Sequence, residues 1–283
     1  MTEHFRGLSD IAHLYDGFII DLWGVVHDGV TPYPGALECL HNLAGRKTLL
    51  LSNAPRRAAS AQSMLRALGI ADSLYSAILT SGEATWLALR DRSDPWFARL
   101  GTRVYHLGPQ RDRNVLDGLD LTIADAPENA DFMVNTGPDD DSQDPRDLAT
   151  FMPELEACLA VGLPMICANP DRVVYRAGVR ILCAGALAEY YTSRGGDVVS
   201  LGKPDPAIYR MALTTLNVPA GRILAIGDSL HTDIAGAAGA GIDSYWVLGG
   251  IHWDSLASDP SGASALAAQA GLSPRFALPR LVW

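Results

Sequence analysis

Asp21 closes the apolar run Phe18-Ile19-Ile20 and heads the stretch DLWGVVHDG. Such a run ending in an acid reads as a buried strand that delivers a carboxylate to the carboxyl edge of a sheet, where open α/β sheets bind ligands. A carboxylate held there can attack phosphorus as a nucleophile. Two residues on, a second acid could protonate a leaving group and then activate water. Trp23 occupies that place, and its indole can do neither. Ser52 and Asn53 follow the run Thr48-Leu49-Leu50-Leu51 and offer a hydroxyl and an amide to phosphoryl oxygens. Lys203, in LGKPDPAIY, can neutralise both a nucleophile and a transferring group. Asp228 follows Ile223-Leu224-Ala225-Ile226-Gly227 and can hold Mg²⁺ together with Asp21 and the Trp23 backbone carbonyl. Asp233 supports that metal shell or the lysine. A hard cation of this kind wants oxygen ligands and keeps several waters. Phosphoryl transfer needs mainly positioning and charge neutralisation, which this set supplies.

Each piece alone is ordinary. Asp21 could cap a strand, Ser52 could cap a helix, Lys203 could lie in an exposed turn, and Gly-Asp after an apolar strand is common. Their order, each at a predicted strand end, is what points to one site. His27 lies four residues past Trp23, and its pKa range suits a substitute acid. Asp28 is another such group. Asp28-Gly29 is a strong turn signal, so both are expected to hold a turn instead. Arg56 and Arg57 could contact a phosphate or carboxylate, or be solvated in a first helical turn. Asp171 and Arg172, in NPDR, could face a substrate or form a turn.

Strand-like and helix-like segments alternate, which predicts a parallel sheet covered by helices. Helices are predicted from Gly35 to about Ala44, and from Pro55 to about Leu68, where Gly69 stops the second. The small residues Ala235–Gly241 predict a tightly packed helix, and Ser244–Leu248 a strand. Roughly residues 82–198 form a different block. Its strands are predicted at Arg103–Leu107, Asp131–Asn135 and Met165–Ala168, its helices around Gly82–Arg90 and Pro145–Val161, and Gly137–Asp147 is a surface loop by composition. The domains expected are a core over 1–81 and 199–283 with an insert over 82–198. The last thirty residues are Ala/Ser/Pro-rich and are expected to wrap the core.

The 283 residues carry a formal charge of −10 and a pI near 5.0. That balance argues against a nucleic-acid backbone or an anionic membrane as partner. Cys39, Cys158, Cys167 and Cys183 are scattered and read as core residues in a reduced compartment. The opening MTEHFRGLSDIAHLYDG lacks the pattern of a signal peptide. No apolar run reaches the roughly 18–20 residues of a membrane span. The cytoplasm is the expected location.

On Asp21, Ser52, Lys203 and the Asp228/Asp233 pair, the chain resembles the haloacid dehalogenase (HAD) hydrolase superfamily from its first strand to about Gly250. The insert between Ser52 and Lys203, with TSGEATWLAL, ANPDRVV and GKPDP, resembles its subclass IIA, the NagD-like sugar and nucleotide phosphatases. The resemblance implies a Rossmann-like core with an inserted, mobile α/β cap, Mg²⁺ dependence, an aspartyl-phosphate intermediate and a small phosphorylated metabolite as substrate. By analogy with that branch, the caps contribute to homodimers. The Trp23-containing first motif resembles an uncharacterised subgroup. Most phosphatases of the superfamily carry aspartate at that place, so the resemblance implies weakened acid/base catalysis here. Two other readings compete: a protein that binds a phosphorylated ligand without efficient turnover, and a dehalogenase.

Overall fold

The computed structural model describes residues 6–139, 144–176, 179–251, 256 and 262–283. Residues 140–143 of the acidic loop, and His252 and Trp253, lie outside them. The chain divides into two compact units. The first comprises Met1–Ser52, Ala59–Leu79 and Lys203–Trp283, the second Asn53–Ala58 and Thr80–Gly202.

Every residue of β1 (Gly17–Asp21) is buried, as the continuous apolar run requires of a central parallel strand. It is followed by β2 (Lys47–Ser52) and β3 (Ala77–Thr80). The second unit then supplies β4 (Arg103–Leu107), β5 (Thr122–Ala124), β6 (Phe132–Asn135) and β7 (Met165–Cys167). An antiparallel hairpin of β8 (Val173–Arg176) and β9 (Val179–Leu182) precedes β10 (Val198–Ser200). The chain returns to the first unit for β11 (Ile223–Gly227), β12 (Asp243–Val247) and β13 (Phe276–Leu278).

The first sheet runs β3-β2-β1-β11-β12-β13. β1 pairs in parallel with β2 and β11, and β12 with β11 and β13. Counted along its own unit, the order is 3-2-1-4-5-6, the Rossmann order, and it reverses between β1 and β11. Ile20 lies opposite Ile226, so Asp21 and Asp228 leave neighbouring strands at that reversal. One face of the sheet packs Phe18, Ile20, Leu50, Ile226, Tyr245 and Phe276 into the main core. Trp246, Leu230 and Ile234 form a smaller cluster. The second unit has its own five-stranded sheet and apolar clusters, so the expected α/β class, a Rossmann-like core with an inserted α/β cap, is the fold found.

Two helices start later than expected. The helix predicted from Pro55 begins at Ala58 and runs to Ala67. The Ala54 carbonyl, which would accept from Ala58 in a longer helix, is taken by Gly82 N–H at 3.0 Å, and the Arg56 carbonyl by Thr80 Oγ1 at 2.6 Å. The helix predicted from Pro145 begins at Met152, after a 3₁₀ turn over Leu148–Thr150, and ends at Ala160. Starting there places Pro153 in the first turn, where its missing N–H costs nothing; in a helix interior it would cost about 3 kcal/mol. The small-residue run forms a short α-helix, Ala235–Gly239, continuing a π-helical turn over Leu230–Ile234. The C-terminal tail contributes β13 to the sheet edge, and Leu8 N–H donates to the Val282 carbonyl at 2.7 Å.

Candidate active site

Asp21, Lys203, Asp228 and Asp233 meet in the first unit, and all four are buried. Lys203 Nζ donates to Asp21 Oδ1 at 2.5 Å, to Asp233 Oδ1 at 2.7 Å and to the Leu51 carbonyl at 3.4 Å. Lys203 immediately follows Gly202, and a helix begins three residues later at Pro206, capped by Asp205 accepting from Ala207 N–H at 2.6 Å. The loop's reach is thereby set by a rigid start. Asp233 is placed by the π-helical turn, and its Oδ2 accepts from Ser229 N–H at 3.1 Å. Both Asp233 oxygens thus accept a hydrogen bond, one from Lys203 and one from Ser229.

Asp228 sits in a cradle of backbone. Ile251 N–H donates to its Oδ2 at 2.7 Å. A Cβ on Gly250 would lie 1.9 Å from that oxygen, and one on Gly24 2.3 Å from it. Gly24 also has φ +83°, which glycine adopts without strain. The Asp228 carbonyl accepts from Trp246 Nε1 at 2.9 Å, fixing the strand end from below. Neither Gly24 nor Gly250 was assigned a role from sequence. The signal available was a glycine after each of two apolar strands.

One carboxylate oxygen from each of Asp21, Asp228 and Asp233 lies within 4.8 Å of the others. Burial pushes the Asp21 carboxyl well above the usual carboxylate range; Lys203 opposes this, and Asp233 and Asp228 add to it. Three acids and one ammonium leave a formal charge of −2, which a divalent cation would balance. The all-oxygen donor set suits a hard ion such as Mg²⁺. The residues present therefore fit a metal.

Trp23 is half-buried, and its benzo edge lies against Gly29, where a Cβ would come within 2.3 Å of the ring. Its ring meets the His27 imidazole edge-on at 5.6 Å. His27 Nδ1 accepts from Gly29 N–H at 3.0 Å. Burial lowers the His27 pKa to about 4. Asp28 Oδ1 accepts from Val30 and Thr31 N–H at 2.9 and 2.7 Å. These two side chains hold the turn, as their sequence signal indicated.

Ser52 is buried at the end of β2 in the first unit, and Asn53 opens the second unit's first segment. Asn53 Nδ2 donates to Asp171 Oδ1 at 2.8 Å, and its Oδ1 accepts from Ser81 Oγ at 3.2 Å. Arg56 is paired with buried Asp112, and Arg57 with Glu83, its guanidinium 3.8 Å from the Trp86 ring centre. Both arginines are therefore occupied by carboxylates of the second unit. Arg172 pairs with Glu189 at the surface.

Two family models match: that of haloacid dehalogenase-like hydrolases over residues 18–122, and a second, HAD-hydrolase-like, over 200–270. A haloacid dehalogenase-like hydrolase from Brucella suis 1330 superposes with a TM-score of 0.85 at 32% identity, over 99% of this chain and 100% of that one. The chain belongs to the haloacid dehalogenase-like hydrolase family. Within this HAD family it falls in the NagD-like branch of phosphoric monoester hydrolases. The D-glycerol 3-phosphate phosphatase of Mycobacterium tuberculosis is 29% identical over 89% of this chain and 69% of its own length. A glycerol phosphate phosphatase of that organism, solved in complex with magnesium, gives a TM-score of 0.66 at 26% identity over 88% of this chain and 74% of that one. The ribonucleotide monophosphatase NagD of Escherichia coli K12 is 29% identical over 82% of this chain and 87% of its own. No described helix is long and apolar enough to cross a membrane.

Proposed function

We propose that this HAD protein is an Mg²⁺-dependent phosphatase of small phosphorylated metabolites and works through a phosphoryl group carried on Asp21. The observation that carries this reading is the 2.5 Å pairing of buried Asp21 with buried Lys203 at the reversal of the first sheet. One Asp21 oxygen attacks phosphorus, the P–O bond to the alcohol or phenol breaks, and the leaving oxygen departs with the bonding pair. Water then attacks the same phosphorus, the P–O bond to Asp21 breaks, and phosphate departs.

Lys203 orients the attacking carboxylate and neutralises charge on the transferring group. Ser52 and Asn53 donate to phosphoryl oxygens. Asp21, Asp228 and the Trp23 carbonyl would hold the cation, with Asp233 behind Lys203. Such an ion, when bound, offsets the negative charge of the phosphoryl oxygens. The magnesium complex of the mycobacterial relative supports the choice of ion, and the names of the relatives support the substrate class.

The Trp23 indole N–H is far too weak an acid to protonate a leaving group. A positioned general acid contributes roughly 10²–10⁴ in rate. Aryl and acyl phosphates, whose leaving groups need no proton, are therefore the better substrates, and the phosphoryl group lingers on Asp21. The same tryptophan favours a second reading, in which the protein binds a phosphorylated ligand without turnover. Hydrolysis of p-nitrophenyl phosphate with Mg²⁺ separates the two. Turnover by the wild type that disappears in Asp21→Asn supports the phosphatase; a silent wild type that still binds phosphate supports the binding protein.

A further inference from the structure

Asn53 belongs to the second unit, as do Ser81, Asp171 and Gly202. Asn53 and Ser81 are buried, and Asp171 is partly so. The Asn53 amide is held at both ends, by the Asp171 carboxylate at 2.8 Å from its nitrogen and by the Ser81 hydroxyl at 3.2 Å from its oxygen. An ionised carboxylate can only accept, so the amide must turn its nitrogen to Asp171. Flipped over, it would set its carbonyl oxygen against the carboxylate.

The partners are themselves anchored. Asp171 N–H donates to Asn169 Oδ1 at 3.2 Å, and the Asp171 carbonyl accepts from Gly185 N–H at 3.0 Å, at the start of the helix Ala184–Ser193. A Cβ on Gly185 would come within 2.2 Å of the Pro170 carbonyl oxygen and 2.6 Å of that of Asp171, so this glycine lets the helix begin directly against the turn. Ser81 opens the helix Ser81–Asp91, capped by Thr80 Oγ1 accepting from Glu83 N–H at 2.9 Å. Gly202 lies against both: a Cβ there would meet Ser81 Oγ at 2.1 Å and Asn53 Oδ1 at 2.6 Å. Three segments distant in sequence thus fix one amide.

That amide follows Ser52 in the chain, and Gly202 precedes Lys203. An amide offers an anion a donor or an acceptor according to which way it is turned, and its oxygen repels a phosphoryl oxygen. Holding it in one orientation beforehand removes the cost of ordering it from binding. Once one N–H is tied to Asp171, the planar NH₂ group has its second N–H in a set direction as well.

We propose that Asp171 is a positioning residue for phosphoryl binding, acting through Asn53 by fixing its amide in the donor orientation. The inference rests on the reading that Asn53 donates to phosphoryl oxygens.

The test is the dissociation constant of inorganic phosphate, measured by calorimetry on the full chain with Mg²⁺, a readout that needs no turnover. Asp171→Ala and Asp171→Asn remove the same charge, but only the second keeps an oxygen that can accept from Asn53. Asp171→Ala should weaken phosphate binding about three- to tenfold, the net worth of one hydrogen bond. Asp171→Asn should recover most of that loss. Asn53→Ala should weaken binding as well, and Asp171→Ala added to it should cost nothing further, whereas damage to the fold would still show there. Equal losses in the two Asp171 variants, tighter binding after Asp171→Ala, or a loss that persists in the Asn53→Ala background would overturn the proposal and leave the role of Asn53 standing. Unchanged binding in Asn53→Ala, or a wild type that binds no phosphate, would remove that role and the proposal with it.

Discussion

Lys203→Met removes the one ammonium that faces the buried acids of the first unit, and the cost can be bounded. Asp21 and Asp233 would each lose a charged partner, at 2.5 and 2.7 Å in the native chain. Breaking a buried pair on one side costs about 3–5 kcal/mol. A cheaper response caps that loss: one carboxyl binds a proton. With an ordinary carboxylate pKa near 3.9, protonation at pH 7 costs about 3.1 × 1.36, or roughly 4 kcal/mol. At pH 5 the same bound is about 1.5 kcal/mol. The folded variant then binds more protons than its unfolded chain, so its stability rises as pH falls through this range. Calorimetric unfolding in EDTA should show a deficit against wild type of about 3–4 kcal/mol at pH 7, a melting temperature lower by on the order of 10 °C. The deficit should shrink to about 1.5 kcal/mol or less at pH 5. A loss below about 1 kcal/mol at pH 7, or one that grows on acidification, would refute the picture of buried acids held in place by the Lys203 ammonium.

Further outcomes follow from the same geometry. Trp23→Asp restores a carboxyl two residues past the nucleophile and should raise turnover of an alkyl phosphate about 10²–10⁴-fold while changing p-nitrophenyl phosphate hydrolysis far less; equal gains on both esters would contradict this. Gly250→Ala places a methyl group where Asp228 Oδ2 now lies 1.9 Å away, and should weaken Mg²⁺ activation at least tenfold, about 1.4 kcal/mol, read from the metal dependence of the rate. His106, held neutral with a pKa near 4 against an ordinary 6.5, favours folding fully only above pH 6.5. Between pH 7 and 4.5 it should remove about 2 kcal/mol of stability, as the unfolded chain takes up the proton first. Urea unfolding of wild type and His106→Gln at the two pH values checks this, and an identical pH dependence in both would count against it.

The first sheet was legible because β1 and β11 are fully buried parallel strands and β2 is buried past Lys47, and each carries an apolar run that leads to a polar residue, Asp21, Ser52 or Asp228. Strand ends also made Asp21 and Asp228 stand out. The start of the helix at Ala58 was hidden because it depends on Gly82 and Thr80 taking the carbonyls that would have extended it. The β8/β9 hairpin escaped notice because its apolar residues are unevenly buried: Leu182 is buried, whereas Tyr175 and Val179 are exposed. β13 follows an Ala-rich stretch with no strand signal and is defined by pairing with β12. The cradle around Asp228 joins Gly24 to Gly250, and no local pattern reports contacts so far apart in sequence.

The most direct test of the account is whether phosphorus becomes bonded to Asp21. The protein would be mixed with ³²P-labelled acetyl phosphate and Mg²⁺, quenched in acid over a range of times, and the labelled peptide sequenced by mass spectrometry. The account predicts label on the peptide containing Asp21, slow to disappear because Trp23 activates no water, and absent in Asp21→Asn. Phosphate released with no adduct on Asp21 at any time would contradict it.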